Sequence, residues 1–176
     1  MRVLRALKQE HGAELEVVIF GSAPDQAGHG DLVTDFPFVD LGPLPSAKVA
    51  ALLNECDLFL DLSDWQAMGL TAMEAMACGV AVVVPEQGGA GSIVSDGVNG
   101  RVVDTRSFGD CLAAARELVA DDELRPSLAM RAIGDVVSHH PERAAHTMLS
   151  ALFPSSQATD PADPAGQRGG VASFAT

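Results

Sequence analysis

DLSDWQAMGLTAMEAMACGVAVVVP, residues 61–85, is the stretch whose reading decides the fold. It follows Asp57-Leu-Phe-Leu-Asp61, a short apolar run that reads as a strand. A polar loop comes next. Gly69 to Cys78 is rich in Ala, Met and Leu and reads as a helix stopped by Gly79. Val80 to Val84 is wholly apolar, as expected of a strand covered on both faces. Strand, loop, helix, strand in this order predicts a parallel α/β sheet flanked by helices. Ligands of such sheets bind at the carboxyl ends of the strands, which is where the loop at 61–69 lies. Free N–H groups at the start of the helix can face an anion. Gly69 allows close backbone approach. Glu74 falls on or near the face of Leu70 and Thr71. A carboxylate there can accept hydrogen bonds from paired hydroxyls such as those of a ribose.

The same alternation extends outward. Residues 2–11 read as a helix, with Val3, Leu4 and Leu7 on one side and Gly12 ending it. Glu14 to Phe20 reads as a strand, followed by Gly21-Ser22 and a polar stretch to about Asp35. Phe38 to Leu41 reads as a short strand. A helix opens at Pro45-Ser46, with Ser46 as its N-cap. Val98-Asn99-Gly100 is a turn, and Arg101 to Val103 a last strand. Helices follow at about 107–120, 122–138 and 142–152. Residues 154–176 hold almost no large apolar side chains and read as a disordered tail, which leaves 1–153 as the domain.

The totals bound the function. The 176 residues suit one domain, and a hydrophobic content of 47% suits a real core. The formal charge of −13 excludes nucleic acid and anionic membrane as partners held by bulk charge, and leaves other membrane association open. Cys56, Cys78 and Cys111 are scattered, form no C-x-x-C pair, and read as small buried hydrophobes in a reducing compartment. No metal cage and no signal peptide are read, so the expectation is a cytoplasmic protein without a cofactor. Met68, Met73 and Met76 read as core packing, and Trp65 as a cap on the core. Asp61 and Asp64 read as loop hydrogen bonding around Ser63.

The stretch around Gly69 and Glu74 resembles the Glu-x7-Glu loop of glycosyltransferase family 4, whose fold is GT-B. That family's loop reads roughly Ser-x-x-Glu-Gly-Phe-Gly-Leu-Pro-x-x-Glu-Ala-Met-Ala-x-Gly. Gly69, Leu70, Glu74, Ala75, Met76, Ala77 and Gly79 match it, and Val80 to Val84 follow. Gly88-Gly89 and Asp96-Gly-Val-Asn-Gly100 are similar to its later loop and turn. Val17 to Gly21 and Ala51 to Leu60 are similar to its preceding units. The resemblance implies the C-terminal, nucleotide-sugar-binding domain of a retaining glycosyltransferase that moves a sugar from a nucleotide-diphosphate sugar to a glycan or lipid acceptor, as in polysaccharide biosynthesis. It implies that Glu74 binds the donor ribose. The backbone at Met68, Gly69, Leu70 and Thr71 would meet the donor sugar and phosphates. Gln66 would contact the transferred sugar, and Gly21 and Ser22 would line the nucleotide cleft.

Three departures qualify those expectations. Gln66 stands where the family has an acid; an amide keeps its hydrogen bonds but carries no charge, so sugar specificity or rate is expected to differ. The family's phosphate-neutralising Arg and Lys belong ahead of the helix at residue 2, off this chain. So do the first strand of the domain and the whole N-terminal acceptor domain. In a sheet of order 3-2-1-4-5-6 that first strand is central, so the strands at 15–20 and 57–61 are expected to lose their shared partner. The chain is therefore expected to be a fragment. Two other functions stay open: a nucleotide-sugar epimerase of the same fold, and a degenerate, non-catalytic nucleotide-binding module.

Overall fold

The computed structural model describes residues 1–21, 35–65 and 67–153. They form two compact units, Met1–His140 and one beginning at Pro141. The first contains α1 (Arg2–His11), β1 (Val18–Ile19), β2 (Val39–Asp40), α2 (Ser46–Leu53), β3 (Leu58–Leu60), α3 (Leu70–Ala77), β4 (Ala81–Pro85), α4 (Ala90–Ile93), β5 (Arg101–Val103), α5 (Phe108–Ala120) and α6 (Leu124–Val136). The second contains α7 (Pro141–Leu152). Met148, Leu149, Leu152 and Phe153 are exposed there. None of the described helices is long and apolar enough to cross a membrane.

Among the described residues all strand pairs are parallel, in two sheets of order β1-β2 and β3-β4-β5. The expected α/β fold is therefore present, and the strands at 18–19 and 58–60 are not bonded to each other. β4 is buried at every position because both of its faces are covered. Its side chains alternate between two cores. Ala81 and Val83 join Leu58, Leu60 and Val103 against α1 and α5, through Val3, Leu7, Leu112, Ala115 and Leu118. Val82 and Val84 join Phe59 and Val102 against α2, α3, α4 and α6, through Val49, Leu53, Ala75, Met76, Ala90 and Ala132.

Several local expectations need correction. The strand expected over 14–20 is paired only at Val18–Ile19, and Gly12–Glu14 form a 3-10 turn instead. Pro45, not Ser46, is the N-cap residue of α2; its extended backbone suits the entry and no side chain caps it. Trp65 does not cap the core: it is 66% exposed. Of the three methionines Met76 is buried and Met68 is 61% exposed, since Met68 precedes the helix rather than sharing its buried stripe. Cys111 is buried but Cys56 and Cys78 only half so, and burial pushes the Cys56 and Cys111 thiols up, keeping them protonated. The stretch 22–34 and the tail 154–176 lie outside the described residues.

Polar contacts fasten the turns. Asp121 ends α5, and its Oδ1 accepts from the N–H groups of Glu123 and Leu124 at 3.0 and 2.7 Å, opening α6. Asn99 is a buried polar side chain. Its Oδ1 accepts from Ser95 N–H at 2.7 Å, and its Nδ2 donates to Asp135 Oδ2 on α6 at 2.8 Å. Asp96 accepts from Val102 N–H and Arg101 Nε, each at 2.9 Å. Burial alone raises the Asp96 carboxyl, but those bonds outweigh it and hold the group below the ordinary carboxylate value.

Two predictions follow from these turns. Asn99→Ala removes two hydrogen bonds from a buried side chain to exposed partners, Ser95 and Asp135, and should cost about 1–2 kcal/mol in urea unfolding; Val98→Ala, at an exposed neighbour, should be near neutral. Asp96 has a depressed folded pKa, so its stabilisation is present above the ordinary carboxylate value and is lost as pH falls through the folded one. Between pH 6 and pH 3 the urea midpoint of Asp96→Asn should therefore fall less than that of the wild type.

Candidate functional site

The carboxyl ends of β3 and β4 lead into two loops that lock together. After β3, Asp61 Oδ1 accepts from Ser63 N–H at 3.1 Å and from Ser63 Oγ at 2.6 Å, which turns the chain away from the sheet. The loop ends at Gly69, which caps α3 in the left-handed region, φ 69° and ψ 34°. A β-carbon added at Gly69 would stand 2.6 Å from Ala90 Cβ. One added at Gly89, in the loop after β4, would stand 2.6 Å from Met68 Cα and 2.7 Å from the Ala67 carbonyl. Neither site has room for a side chain, so glycine at both positions lets backbone lie on backbone.

This contact fixes the start of α3. Met73 N–H donates to the Gly69 carbonyl at 3.1 Å, and no side chain caps the earlier N–H groups. Leu70 and Glu74 share the exposed side of the helix, while Ala72, Ala75 and Met76 face the core. Thr71 is half-buried. Met68, Gly69, Leu70, Thr71 and Glu74 are thus gathered at one strand end. Glu74 is exposed and takes no hydrogen bond from the described residues. Gly21 lies at the carboxyl end of β1, in the other sheet, with φ 105°; its N–H donates to the Gly42 carbonyl at 2.8 Å. Ser22 and Gln66 lie outside the described residues.

The surroundings are acidic. No Lys or Arg occurs between Lys48 and Arg101, whereas Asp61, Asp64, Glu74 and Glu86 fall in that span. Within this span an anion could meet only backbone N–H groups and the helix dipole, while Arg2 and Arg106 line a cavity beside Leu62, just past β3. Among the described residues no group of three or more His, Cys, Asp or Glu is placed to hold a metal. The interlock of Gly69 with Ala90 and of Gly89 with Met68 was not read from the sequence. Its signal is the pairing of Gly69 with Gly88-Gly89, one glycine site per strand-end loop.

The profile of the family described as glycosyl transferases group 1 matches residues 1–134. The chain belongs to that family. Among curated relatives of this glycosyltransferase chain, a GDP-mannose-dependent alpha-mannosyltransferase of Corynebacterium glutamicum is 29% identical over 110 residues, 62% of this chain and 26% of the relative. A D-inositol 3-phosphate glycosyltransferase of Paenarthrobacter aurescens is 29% identical over 153 residues, 81% of this chain and 36% of the relative. The chain therefore spans only about a quarter to a third of these relatives. Among solved structures, TarM of S. aureus in complex with UDP, fondaparinux and alpha-GlcNAc-glycerol superposes with a TM-score of 0.74 at 18% identity, covering 88% of this chain and 32% of that one. Anabaena HepE in complex with UDP and glucose gives 0.63 at 18% identity, covering 88% and 52%. The GT-B relationship of the fold is thereby shown.

Gly69→Ala adds a clash to a left-handed backbone and should cost roughly 2–4 kcal/mol in thermal or urea unfolding. Gly97→Ala is the control. Gly97 has the same φ of 69° but nothing within 4 Å of an added Cβ, so it should cost only about 1 kcal/mol.

Proposed function

We propose that this chain is the donor-binding portion of a retaining glycosyltransferase, and that the start of α3 holds a nucleotide-diphosphate sugar. One observation carries the proposal: an uncapped, glycine-opened helix start at the carboxyl ends of parallel strands, with a free carboxylate, Glu74, one turn further on its exposed side. The N–H groups of Leu70 and Thr71 suit the diphosphate, and the Glu74 carboxylate suits the two ribose hydroxyls. Met68 and Gly69 lie where backbone can meet the transferred sugar. Gln66 would hold that sugar by hydrogen bonds without charge, and Gly21 and Ser22 would border the base. The GDP-mannose in one relative's name and the UDP in two solved neighbours support a nucleotide donor. In this proposal the open side of Glu74 meets a second domain, which closes over the donor and presents a glycan or lipid acceptor. The reaction takes place in the cytoplasm, where sugar nucleotides are the donors, and needs no resident cofactor or metal.

A second reading, a nucleotide-binding module without catalysis, is favoured by the same exposure of Glu74. Titrating the chain with UDP-, GDP- and dTDP-sugars, followed by calorimetry, separates the two from a chain that binds nothing. Donor binding should be weakened about 10- to 100-fold by Glu74→Ala, the value of one to two charge-assisted hydrogen bonds. Glu74→Gln should recover part of it. Equal affinity in wild type and Glu74→Ala would remove the proposed ribose contact. Sugar transfer by the chain joined to an N-terminal domain separates the enzyme from the module.

A further inference from the structure

Three large apolar side chains left in solvent stand within six residues of one another. Trp65 is 66%, Met68 61% and Leu70 60% exposed. The cause is the contact between the two loops. The main chain of Ala67 and Met68 lies on Gly89, and that of Gly69 on Ala90, so backbone fills the inner side of the loop. The inner stripe of α3 is taken by Ala72, Ala75 and Met76. Leu62, at the other end of the loop, packs on the core beneath β3. An indole offers roughly 150–250 Å² for burial, yet this one is held in water at the carboxyl end of the strands. Exposed apolar groups gathered in one place mark a binding surface, whereas single scattered ones do not.

The charge beside them selects the ligand. Asp64 precedes the indole, is exposed, and takes no hydrogen bond among the described residues. Asp61 is engaged by Ser63. With no Lys or Arg between Lys48 and Arg101, the ground around Trp65 repels an anionic lipid surface. It suits a neutral ligand that brings hydroxyl donors, because carboxylates only accept. A pyranose ring has this chemistry. The C–H groups of its face meet the negative face of the indole, and the hydroxyls at its rim donate to a carboxylate. An indole beside a carboxylate also attracts a cation, but recognition of cations uses a cage of several aromatic rings. Here Trp65 is the only tryptophan, the chain has no tyrosine, and the exposed neighbours are Met68 and Leu70. Membership of the glycosyl transferases group 1 family favours the sugar.

We propose that Trp65 is a stacking platform for the face of a neutral pyranose ring, with Asp64 accepting from the ring's hydroxyls and Met68 and Leu70 extending the apolar ground. The choice of a sugar rests on the transferase reading, but the platform itself needs no nucleotide. The ring is the same chemical object whether it arrives on a sugar nucleotide or on a glycan acceptor.

Because the chain has one tryptophan and no tyrosine, its tryptophan emission reports this loop alone. The free chain should emit as a solvated indole. Saturating maltotriose or mannotriose should shift the emission to the blue if the ring comes on a glycan. UDP-glucose or GDP-mannose should shift it further than UDP or GDP alone if the ring comes on the donor. Either response supports the platform. By ligand-observed NMR, Trp65→Ala should weaken binding of the responding ligand about 5-fold or more, and Trp65→Phe should recover part of it. The urea midpoint of Trp65→Ala should stay near that of the wild type, since the side chain is exposed. The proposal is overturned if none of these sugars moves the emission, or if affinity survives Trp65→Ala. It is also overturned if a lysine peptide shifts the emission while the sugars do not, or if the shift comes with protein concentration alone. A trisaccharide response without nucleotide binding would remove the donor reading and keep the platform. Nucleotide binding that depends on Glu74 while Trp65 stays silent to every sugar would do the reverse.

Discussion

The organisation of the strand ends depends on two backbones meeting without side chains between them. Gly69 against Ala90 and Gly89 against Met68 bring the loops after β3 and β4 into direct contact. Close packing of this kind tolerates no added methyl group without displacement. It therefore sets the direction in which α3 leaves the loop, and with it which side of that helix faces outward. Leu70 and Glu74 are exposed together for this reason, and Ala75 and Met76 are buried together behind them. The chemistry offered by the helix start is inherited from a steric fact one loop away.

The fold was legible because its signals are strong and local. Val80 to Val84 could only be a strand with both faces covered, and β4 is buried throughout. Gly79 marked the end of a helix, and α3 stops at its C-cap Cys78, just before it. The strand at 14–20 was less legible. An apolar run states a preference for extended backbone, but pairing requires a neighbour, and only Val18–Ile19 have one in β2. Trp65 and Met68 misled for a related reason: large apolar side chains read as core unless the turn that carries them outward is known.

The site was legible in its residue types but not in its enclosure. The spacing of Gly69, Leu70 and Glu74 announces a helix start with a carboxylate on one side, and the structure gathers them. Whether that side forms a cleft depends on what covers it, and this is not written in the same stretch. Membership of the glycosyl transferases group 1 family rests on 134 matched residues. The chain spans about a quarter to a third of the length of two curated relatives.

The absence of Lys and Arg between Lys48 and Arg101 has a consequence for how a charged ligand would feel the solvent. Attraction by point charges fades as added electrolyte shortens the Debye length. Attraction by main-chain dipoles acts at contact and is shielded far less, while the repulsion from a surface of net charge −13 is what the electrolyte removes. An anion held by main-chain dipoles alone is therefore less sensitive to ionic strength than one held in a basic pocket.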